Sequence, residues 1–233
     1  MADTDSENEG ILNNIQRLVI RPPGHTGKAK KGHICFDGGH ETMNLGRVDF
    51  ITNQEYDLFI RPDTANPRAR LWFHFTVENT QRDQRVIFNV VNLSKWRTLF
   101  ADGLTPVVKS TSRPRWQRMQ RQFVFYYRSP IHSDHFVLSF AFSFDREDER
   151  YSFALAQPYS LSRYNLYLEA ILAAKHSFLH CETIGRTIQV RSSILQNSIL
   201  PLYYSREVVR CAMHLSLATA ATATVHTVPK WVK

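Results

Sequence analysis

The 233-residue sequence predicts an all-β protein, an antiparallel β-sandwich followed by one helix and a poorly ordered C-terminal tail. Three observations favour this fold class. Apolar side chains alternate with a period of two in several short runs, turn formers and charged clusters separate those runs, and helical spacing begins only beyond Pro158. The 15 Phe and 9 Tyr residues supply the bulky side chains that a core between two sheets needs.

The N-terminal part of the chain is expected to contribute little to the sandwich. Residues 1–32 begin acidic and continue into a loop rich in Gly, Lys and Thr, which predicts a flexible arm with at most a short strand over 15–20. The sandwich domain is expected over residues 33–159. Its first clear strand alternates apolar and polar side chains over 56–61 and ends in the turn formers of 62–67.

The centre of the predicted sandwich is the stretch over residues 69–93. Two runs with the period of a half-buried strand, 71–77 and 86–90, flank the polar segment 79–84. This arrangement predicts an antiparallel hairpin with a long loop. Because a hairpin alone is marginally stable in water, the other strands must supply partners for it.

Three further strands are expected after this hairpin. In the first of them, Phe123, Phe125 and Tyr127 share one side. The second runs over 136–144, where Phe or Leu occupies every other position. A charged turn then leads into a third, returning strand over 151–155.

The character of the sequence changes at Tyr159, where we place the edge of the sandwich domain. Apolar residues then recur with the spacing of an amphipathic helix over 161–179, and Ser160 or Ser162 is the candidate N-cap. Residues 192–233 have no convincing period and are expected to be a divergent, disordered tail.

Charge and cysteine content limit the partners and the compartment. The formal net charge of +8 favours polyanionic partners such as nucleic acid, an anionic membrane or an acidic protein tail. The cysteines Cys35, Cys181 and Cys211 form no Cys-x-x-Cys pair, and the acidic N-terminus does not resemble a signal peptide. We therefore expect a cytoplasmic protein with free thiols and no membrane span.

Candidate catalytic and metal-binding residues are weak. His176 and His180 are four residues apart on the expected helix, but a general base and a third ligand are missing, so a solvated helix face is the preferred interpretation. The loop over 25–40 holds three histidines and a cysteine at spacings that match no zinc pattern, and His132 and His135 are expected to be exposed loop residues. No catalytic or metal-binding residue is therefore assigned.

A series of motifs nevertheless occurs in one order over more than a hundred residues. The motifs are Asn44-Leu45-Gly46-Arg47, Tyr56-Asp57-Leu58-Phe59-Ile60-Arg61-Pro62-Asp63-Thr64, Trp72-Phe73 with Phe75, Val77 and Asn79, Val86-Ile87-Phe88-Asn89, Val91-Asn92, Lys109-Ser110-Thr111-Ser112-Arg113-Pro114, Trp116-Gln117-Arg118, Ser139-Phe140-Ala141-Phe142, Phe144-Asp145-Arg146-Glu147-Asp148 and Pro158-Tyr159. They resemble the amino-terminal domain of the cytosolic carboxypeptidases, zinc enzymes that trim glutamates from tubulin and other proteins. The resemblance is greatest to the shorter members, the cytosolic carboxypeptidase-six-like branch.

This resemblance implies a β-sandwich that packs against a carboxypeptidase domain in the complete protein. Residues 160–191 would then hold a helix and the start of a truncated carboxypeptidase domain. The family's zinc motif is His-Pro-Gly-Glu, and none of the ten histidines here has a Glu three positions on. The resemblance thus implies zinc in complete family members, and no cofactor, zinc site or independent activity in this chain.

The strongest candidate binding feature is a basic segment around Trp116. It consists of Lys109, Arg113, Arg115, Arg118 and Arg121. Arginine forms bidentate contacts with carboxylates and phosphates. A solvated basic loop is the simplest interpretation; an acidic-tail contact, suggested by the family's substrates, comes second, and nucleic acid third.

Two functions remain open from the sequence. The first is the non-catalytic N-terminal domain of a deglutamylating metallocarboxypeptidase. For it we expect a location in the cytoplasm, with association to microtubules or centrioles, and polyglutamylated tails such as those of tubulin as partners. The second is a stand-alone binding module for acidic protein tails or scaffold proteins.

Overall fold

The computed structural model describes residues 12–64, 66–94, 97–175, 179–186 and 192–198. Its chain divides into two compact units, with the boundary between Pro158 and Tyr159. In the first unit the strands are β1 (Leu18–Val19), β2 (Cys35–Asp37), β3 (Leu45–Thr52), β4 (Glu55–Ile60), β5 (His74–Glu78), β6 (Arg85–Val90), β7 (Val107–Ser110), β8 (Gln117–Arg118), β9 (Val124–Ser129), β10 (His135–Ser143) and β11 (Tyr151–Ala154). A short helix, α1 (Arg97–Ala101), lies between β6 and β7.

These strands form two sheets that pack face to face. Within the described residues, one sheet has the strand order β1-β2-β5-β11-β7-β8 and the other has the order β3-β4-β6-β10-β9. Neighbouring strands pair antiparallel, except that β4 and β6 run parallel and place Tyr56 opposite Phe88. The predicted all-β sandwich is therefore confirmed, with one parallel pair that the sequence did not indicate.

Phenylalanine rings from both sheets fill the space between them. Phe75 and Phe153 of the first sheet lie with their ring centroids 5.6 and 5.3 Å from that of Phe88 in the second. Phe36 and Phe140 extend the cluster, at 5.9 and 5.5 Å from Phe88. All five side chains are at most 1% exposed. Aromatic pairs in such geometry contribute about 0.5–1.5 kcal/mol each beyond the area that they bury.

The predicted hairpin between β5 and β6 is wrong. β5 pairs with β2 and β11 in the first sheet, whereas β6 pairs with β4 and β10 in the second. The polar segment 79–84 therefore crosses from one sheet to the other. The chain crosses again between β10 and β11, where a returning strand was expected. Period-two patterns show which face of a strand is buried, but two strands that face each other across a core have the same pattern as two that pair.

Part of the N-terminal arm packs against the sandwich. β1 pairs with β2, which places Val19 opposite Cys35, and the side chains of Ile15 and Ile20 pack against the core. The short strand allowed over 15–20 is thus present as β1, and these apolar side chains cover an edge of the sandwich. The flexibility expected for the arm stays a prediction. The first eleven residues of the arm lie outside the described part of the chain.

The second unit begins with α2 (Leu161–Ala173), followed by β12 (Leu179–Arg186) and β13 (Ser192–Ser198). Ser160 is the N-cap, and its side-chain oxygen accepts a hydrogen bond of 3.2 Å from the backbone N–H of Arg163. The helix is shorter than expected because Lys175 has a φ of 48°, the left-handed conformation in which helices commonly end. Neither helix in the described part of the chain is long and apolar enough to span a membrane.

The segment expected to be a disordered tail begins with a strand. β13 pairs antiparallel with β12, placing Ile194 opposite Thr183. Its polar sequence gave no periodic signal, because backbone hydrogen bonds to a neighbouring strand do not depend on alternating side chains. The rest of that tail lies outside the described residues, and the prediction of disorder there stays a prediction.

Candidate functional site

The predicted basic segment lies along one edge of the first sheet, on β7, β8 and the adjoining loop. Lys109 lies on β7, and its Nζ is 4.9 Å from the centroid of the Trp116 ring, a cation–π contact. Arg115 is exposed, and no hydrogen bond or ion pair joins its side chain to another described residue. These two cations are the members of the segment with no hydrogen bond or ion pair to another part of the described sandwich.

The other three arginines bind loops of the protein itself. Arg113 donates a hydrogen bond of 2.6 Å to the Asp145 carboxylate. Arg118 and Arg121 donate bonds of 2.6 and 3.1 Å to the backbone carbonyls of Thr105 and Ala101. The five predicted residues are therefore not brought together as one patch, and acidic-tail binding by this segment stays a prediction.

The contact with Arg113 also affects its partner. Burial opposes ionisation of Asp145, but a hydrogen bond of 2.9 Å from the Tyr151 hydroxyl and the positive charge of Arg113 together hold the pKa of the carboxyl below its usual range. Burial is the main reason that the pKa of Tyr151 rises to about 12. The phenol therefore stays protonated and donates to the carboxylate, which fixes the charged turn after β10.

A buried histidine lies beneath the same edge. His74 points away from the core on β5, is 4% exposed and packs edge-on against Trp116 with ring centroids 5.7 Å apart. Its Nδ1 is 2.8 Å from the Thr42 hydroxyl, while its Nε2 is buried without a hydrogen-bond partner among the described residues. Burial, with the nearby charges of His40 and Lys109, lowers the pKa of His74 to about 3. The imidazole is thus neutral near pH 7. In this state it cannot form an ion pair with an anion, and it does not repel the charge of Lys109.

A polar network occupies the outer face of the second sheet. Asp57 on β4 accepts hydrogen bonds from Asn89 at 2.9 Å and from Nε2 of His132 at 2.7 Å. The other ring nitrogen of His132 lies 2.8 Å from the Ser129 hydroxyl, and Ser139 donates to Asn89 at 2.6 Å. Both nitrogens of the imidazole are therefore engaged, which favours a structural role.

Sequence reasoning missed this network and took His132 for an exposed loop residue. Its side chain is in fact 21% exposed, because it folds back onto Asp57. A signal was present in the sequence: Asp57, Asn89 and Ser139 each interrupt the apolar run of a strand. Polar residues in such positions need hydrogen-bond partners when they are buried.

The motifs that carry the family resemblance are largely structural. The amide of Asn92 accepts from the backbone N–H of Ile60 and donates to its carbonyl, both at 2.9 Å. Asn44 similarly accepts from the N–H of His74 at 3.1 Å and donates to the carbonyl of Trp72 at 2.6 Å. These asparagines therefore join backbone groups where the strands end.

The histidine candidates do not converge. His25 and His33 contact each other with ring centroids 4.7 Å apart, whereas His40 lies beside the Thr42 hydroxyl. The shared helix face proposed for His176 and His180 is wrong, because His180 belongs to β12 and residue 176 lies outside the described residues. Among the residues that the structure describes, no three His, Cys, Asp or Glu side chains are placed to hold a metal ion. They do not fit a zinc centre, which needs three protein ligands.

Comparison with known proteins identifies the family. The sequence model of the cytosolic carboxypeptidase N-terminal domain matches residues 35–154, most of the sandwich. The chain belongs to the cytosolic carboxypeptidase family. It is 49% identical over 191 residues to cytosolic carboxypeptidase 6 of Mus musculus and 49% identical over 183 residues to that of Homo sapiens. The alignments cover 82% and 78% of this chain but only 35% and 36% of these longer relatives.

Solved structures support the same fold. A metallo-carboxypeptidase from Pseudomonas aeruginosa, in complex with (2-guanidinoethylmercapto)succinic acid, superposes with a TM-score of 0.52 at 24% identity, covering 69% of this chain and 39% of that one. A metallo-carboxypeptidase from Burkholderia cenocepacia gives 0.53 at 16% identity, covering 75% and 42%. At these identities the likeness concerns the fold alone. The resemblance read from the sequence motifs is confirmed by the family match and by the relatives.

Proposed function

We propose that the chain is the N-terminal, non-catalytic domain of a cytosolic zinc metallocarboxypeptidase that removes glutamates from protein tails, such as those of tubulin. The observation that carries the proposal is the match of residues 35–154 to the N-terminal domain of the cytosolic carboxypeptidases. The sandwich would support a separate carboxypeptidase domain that holds the zinc ion. The proposed location is the cytoplasm, with association to microtubules or centrioles through the substrate.

Complementation in trans tests this proposal. The part of mouse cytosolic carboxypeptidase 6 that follows the sandwich is expressed alone or together with this chain, and glutamate release from a polyglutamylated peptide is measured. We expect soluble, active enzyme only in the presence of the chain. A Phe88→Asp variant is the control, because a charge in the core prevents the sandwich from folding.

The chain alone provides a second test. We expect that it releases no glutamate and that its purified form holds no stoichiometric zinc. Glutamate release together with one zinc ion per chain would contradict the assignment as a non-catalytic domain. A catalytic part of the relative that is fully active without the chain would contradict the supporting role.

A stand-alone binding module for acidic protein tails is the second candidate function, and the net charge of +8 favours it. A pull-down with glutamylated and unmodified tubulin tails distinguishes it from a purely supporting role. Binding that Arg113→Glu with Arg115→Glu abolishes would assign the tail to the basic segment. Failure of both tails to bind would contradict this candidate.

A further inference from the structure

A cleft of about 540 Å³ opens in the first unit, away from the basic segment. Three parts of the chain line it: the segment leading to β2, the end of β3 with its turn into β4, and the crossing loop that enters β6. Of the candidate residues described above, His33 is the one that lines it. The motifs did not predict it, because it forms where three loops that are distant in sequence meet.

Two aromatic side chains form the inner wall of the cleft, the half-buried Phe50 and the buried Tyr56. Phe50 and Tyr56 contact each other edge-on, with ring centroids 6.0 Å apart. Tyr56 is only 2% exposed, and burial raises the pKa of its phenol to about 12, so that it stays neutral. The cleft therefore offers no open face of this ring on which a nucleobase could stack, as binders of single-stranded nucleic acid require.

The crossing loop forms a fixed wall rather than a loose strap. Gln84 donates from Nε2 to the Gly32 carbonyl at 2.9 Å and accepts from the backbone N–H of Gln81 at 3.0 Å. Gly32 has a φ of 87°, which a residue with a side chain rarely adopts. These contacts hold two of the three lining segments together, so that ligand binding would cost little ordering of the chain.

Three cations and one carboxylate, those of Lys31, Arg82, Arg85 and Asp83, line the cleft. Lys31 contacts Glu147 at 2.5 Å and Asp148 at 3.2 Å, hydrogen bonds that raise its pKa and neutralise its charge locally. Arg82 is 73% exposed in its side chain and has only a long contact of 3.8 Å with Asp83. Arg85 is exposed, and no described residue forms an ion pair with it. Two guanidinium groups are thus available to a ligand.

Amide groups complete the rim. Asn53 and Gln54 form the tip of the turn between β3 and β4, and their side-chain amides form no hydrogen bond with a described residue. Each amide can both donate to and accept from a peptide group. The rim therefore presents amides that can form hydrogen bonds with a polypeptide backbone. Next to them lie cations that can pair with carboxylates.

We infer that this cleft binds an extended, carboxylate-rich peptide segment, with Arg82 and Arg85 pairing its acidic side chains and Asn53 and Gln54 bonding its peptide groups. The inference rests on the proposed function for the source of the peptide, a glutamate-rich tail. It places the tail in a cleft where two guanidinium groups, those of Arg82 and Arg85, lie beside amides that form no hydrogen bond with a described residue. On the basic segment, by contrast, three of the five cations bind loops of the protein itself.

Fluorescence anisotropy on the complete chain tests the inference, with a labelled oligoglutamate peptide as the probe. We expect Arg82→Glu with Arg85→Glu to weaken binding at least about tenfold, as expected when two favourable charge pairs become repulsive. The matched control, Lys109→Glu with Arg115→Glu, also reverses two charges, at side chains without a hydrogen bond or ion pair to a described residue, and is expected to retain affinity within about twofold. Thermal unfolding of both variants checks that these substitutions leave the fold intact.

A second pair of variants separates backbone recognition from charge attraction. Asn53→Ala with Gln54→Ala is expected to weaken the peptide several-fold without changing how binding depends on salt, whereas the arginine variant reduces that dependence. A matched oligoglutamine peptide is expected not to bind measurably.

Three results would overturn the inference: equal losses in the two charge-reversal variants, equal binding of oligoglutamate and oligoglutamine, or displacement of the peptide by a single-stranded oligonucleotide at lower concentration. Peptide binding is measured without catalysis. The inference can therefore fail while complementation of the relative's catalytic part succeeds. Equally, the peptide can bind to the cleft while complementation fails.

Discussion

The rings of Phe75 and Phe88 meet edge-on across the sandwich, with centroids 5.6 Å apart and an interplanar angle of 76°. The two residues belong to consecutive strands of the chain, yet these strands lie in different sheets. Their contact therefore forms only when the sheets pack, and it links the crossing loop to the stability of the whole first unit.

Phe88 is expected to be the most costly single truncation in this core. Phe88→Ala should lower the free energy of unfolding by about 3–5 kcal/mol, since it removes a fully buried ring and leaves a cavity between the sheets. Urea denaturation followed by tryptophan fluorescence measures the change. The control is Phe125→Ala on the outer side of β9, where the ring is 57% exposed and the expected loss is below about 1 kcal/mol. Similar losses for the two variants would contradict the packing described here.

His74 is expected to make stability depend on pH. Its pKa falls from an ordinary value of 6.5 to about 3 on folding, so the unfolded chain binds more protons between these values. Its contribution is complete above pH 6.5 and declines as the pH falls towards 3, by about 1 kcal/mol per pH unit. Denaturation at a series of pH values should show a shallower slope for His74→Gln than for the unmodified chain. Parallel slopes would show that His74 is not buried as a neutral group.

Asn92 is expected to be essential for the end of β4. Asn92→Ala leaves both the N–H and the carbonyl of Ile60 without their partner, which should cost about 2–3 kcal/mol of stability. Amide hydrogen exchange provides a local readout, because the Ile60 amide should lose protection more than its neighbours do. Asn53→Ala, at an exposed turn, is the matched control and should change neither quantity.

His132 is expected to stabilise the outer face of the second sheet. His132→Leu removes the donor to Asp57 and the partner of Ser129, both of which are buried, at a cost of about 1–3 kcal/mol. His135→Leu tests the neighbouring histidine, which is exposed and bonds only to a backbone carbonyl. If the two variants lost equal stability, the network would not act as described.

The buried side of several strands was readable from the sequence, but the pairing of the strands was not. Phe73, Phe75 and Val77 are buried as their alternation predicted. The opposite side of the same strand is buried as well, since His74 and Thr76 are 4% and 2% exposed. Tertiary packing by Trp116 covers His74, and no local pattern encodes that contact.

On β9, the sequence pattern did not show which side of the strand faces the core. Phe125 and Tyr127 share one side of the strand, as predicted, and Phe123 lies in the turn just before it. This side faces away from the core, whereas Val124 and Tyr126 pack inwards. Both sides of this strand carry large apolar residues, so periodicity alone could not select the inner one. The five cations of the basic segment do not form one patch for a related reason. Hydrogen bonds from guanidinium groups to backbone carbonyls cannot be predicted from the amino-acid composition of a segment.

β11 is the last strand of the sandwich in sequence, yet it lies between β5 and β7 and pairs with both. During synthesis on the ribosome, the sheet containing these three strands cannot close until Ala154 has left the exit tunnel. Until then the edges of β5 and β7 stay open, and exposed strand edges readily pair with other chains. A nascent chain stalled before β11 should therefore need chaperones, whereas one released just beyond it has every strand that the structure describes in the first unit.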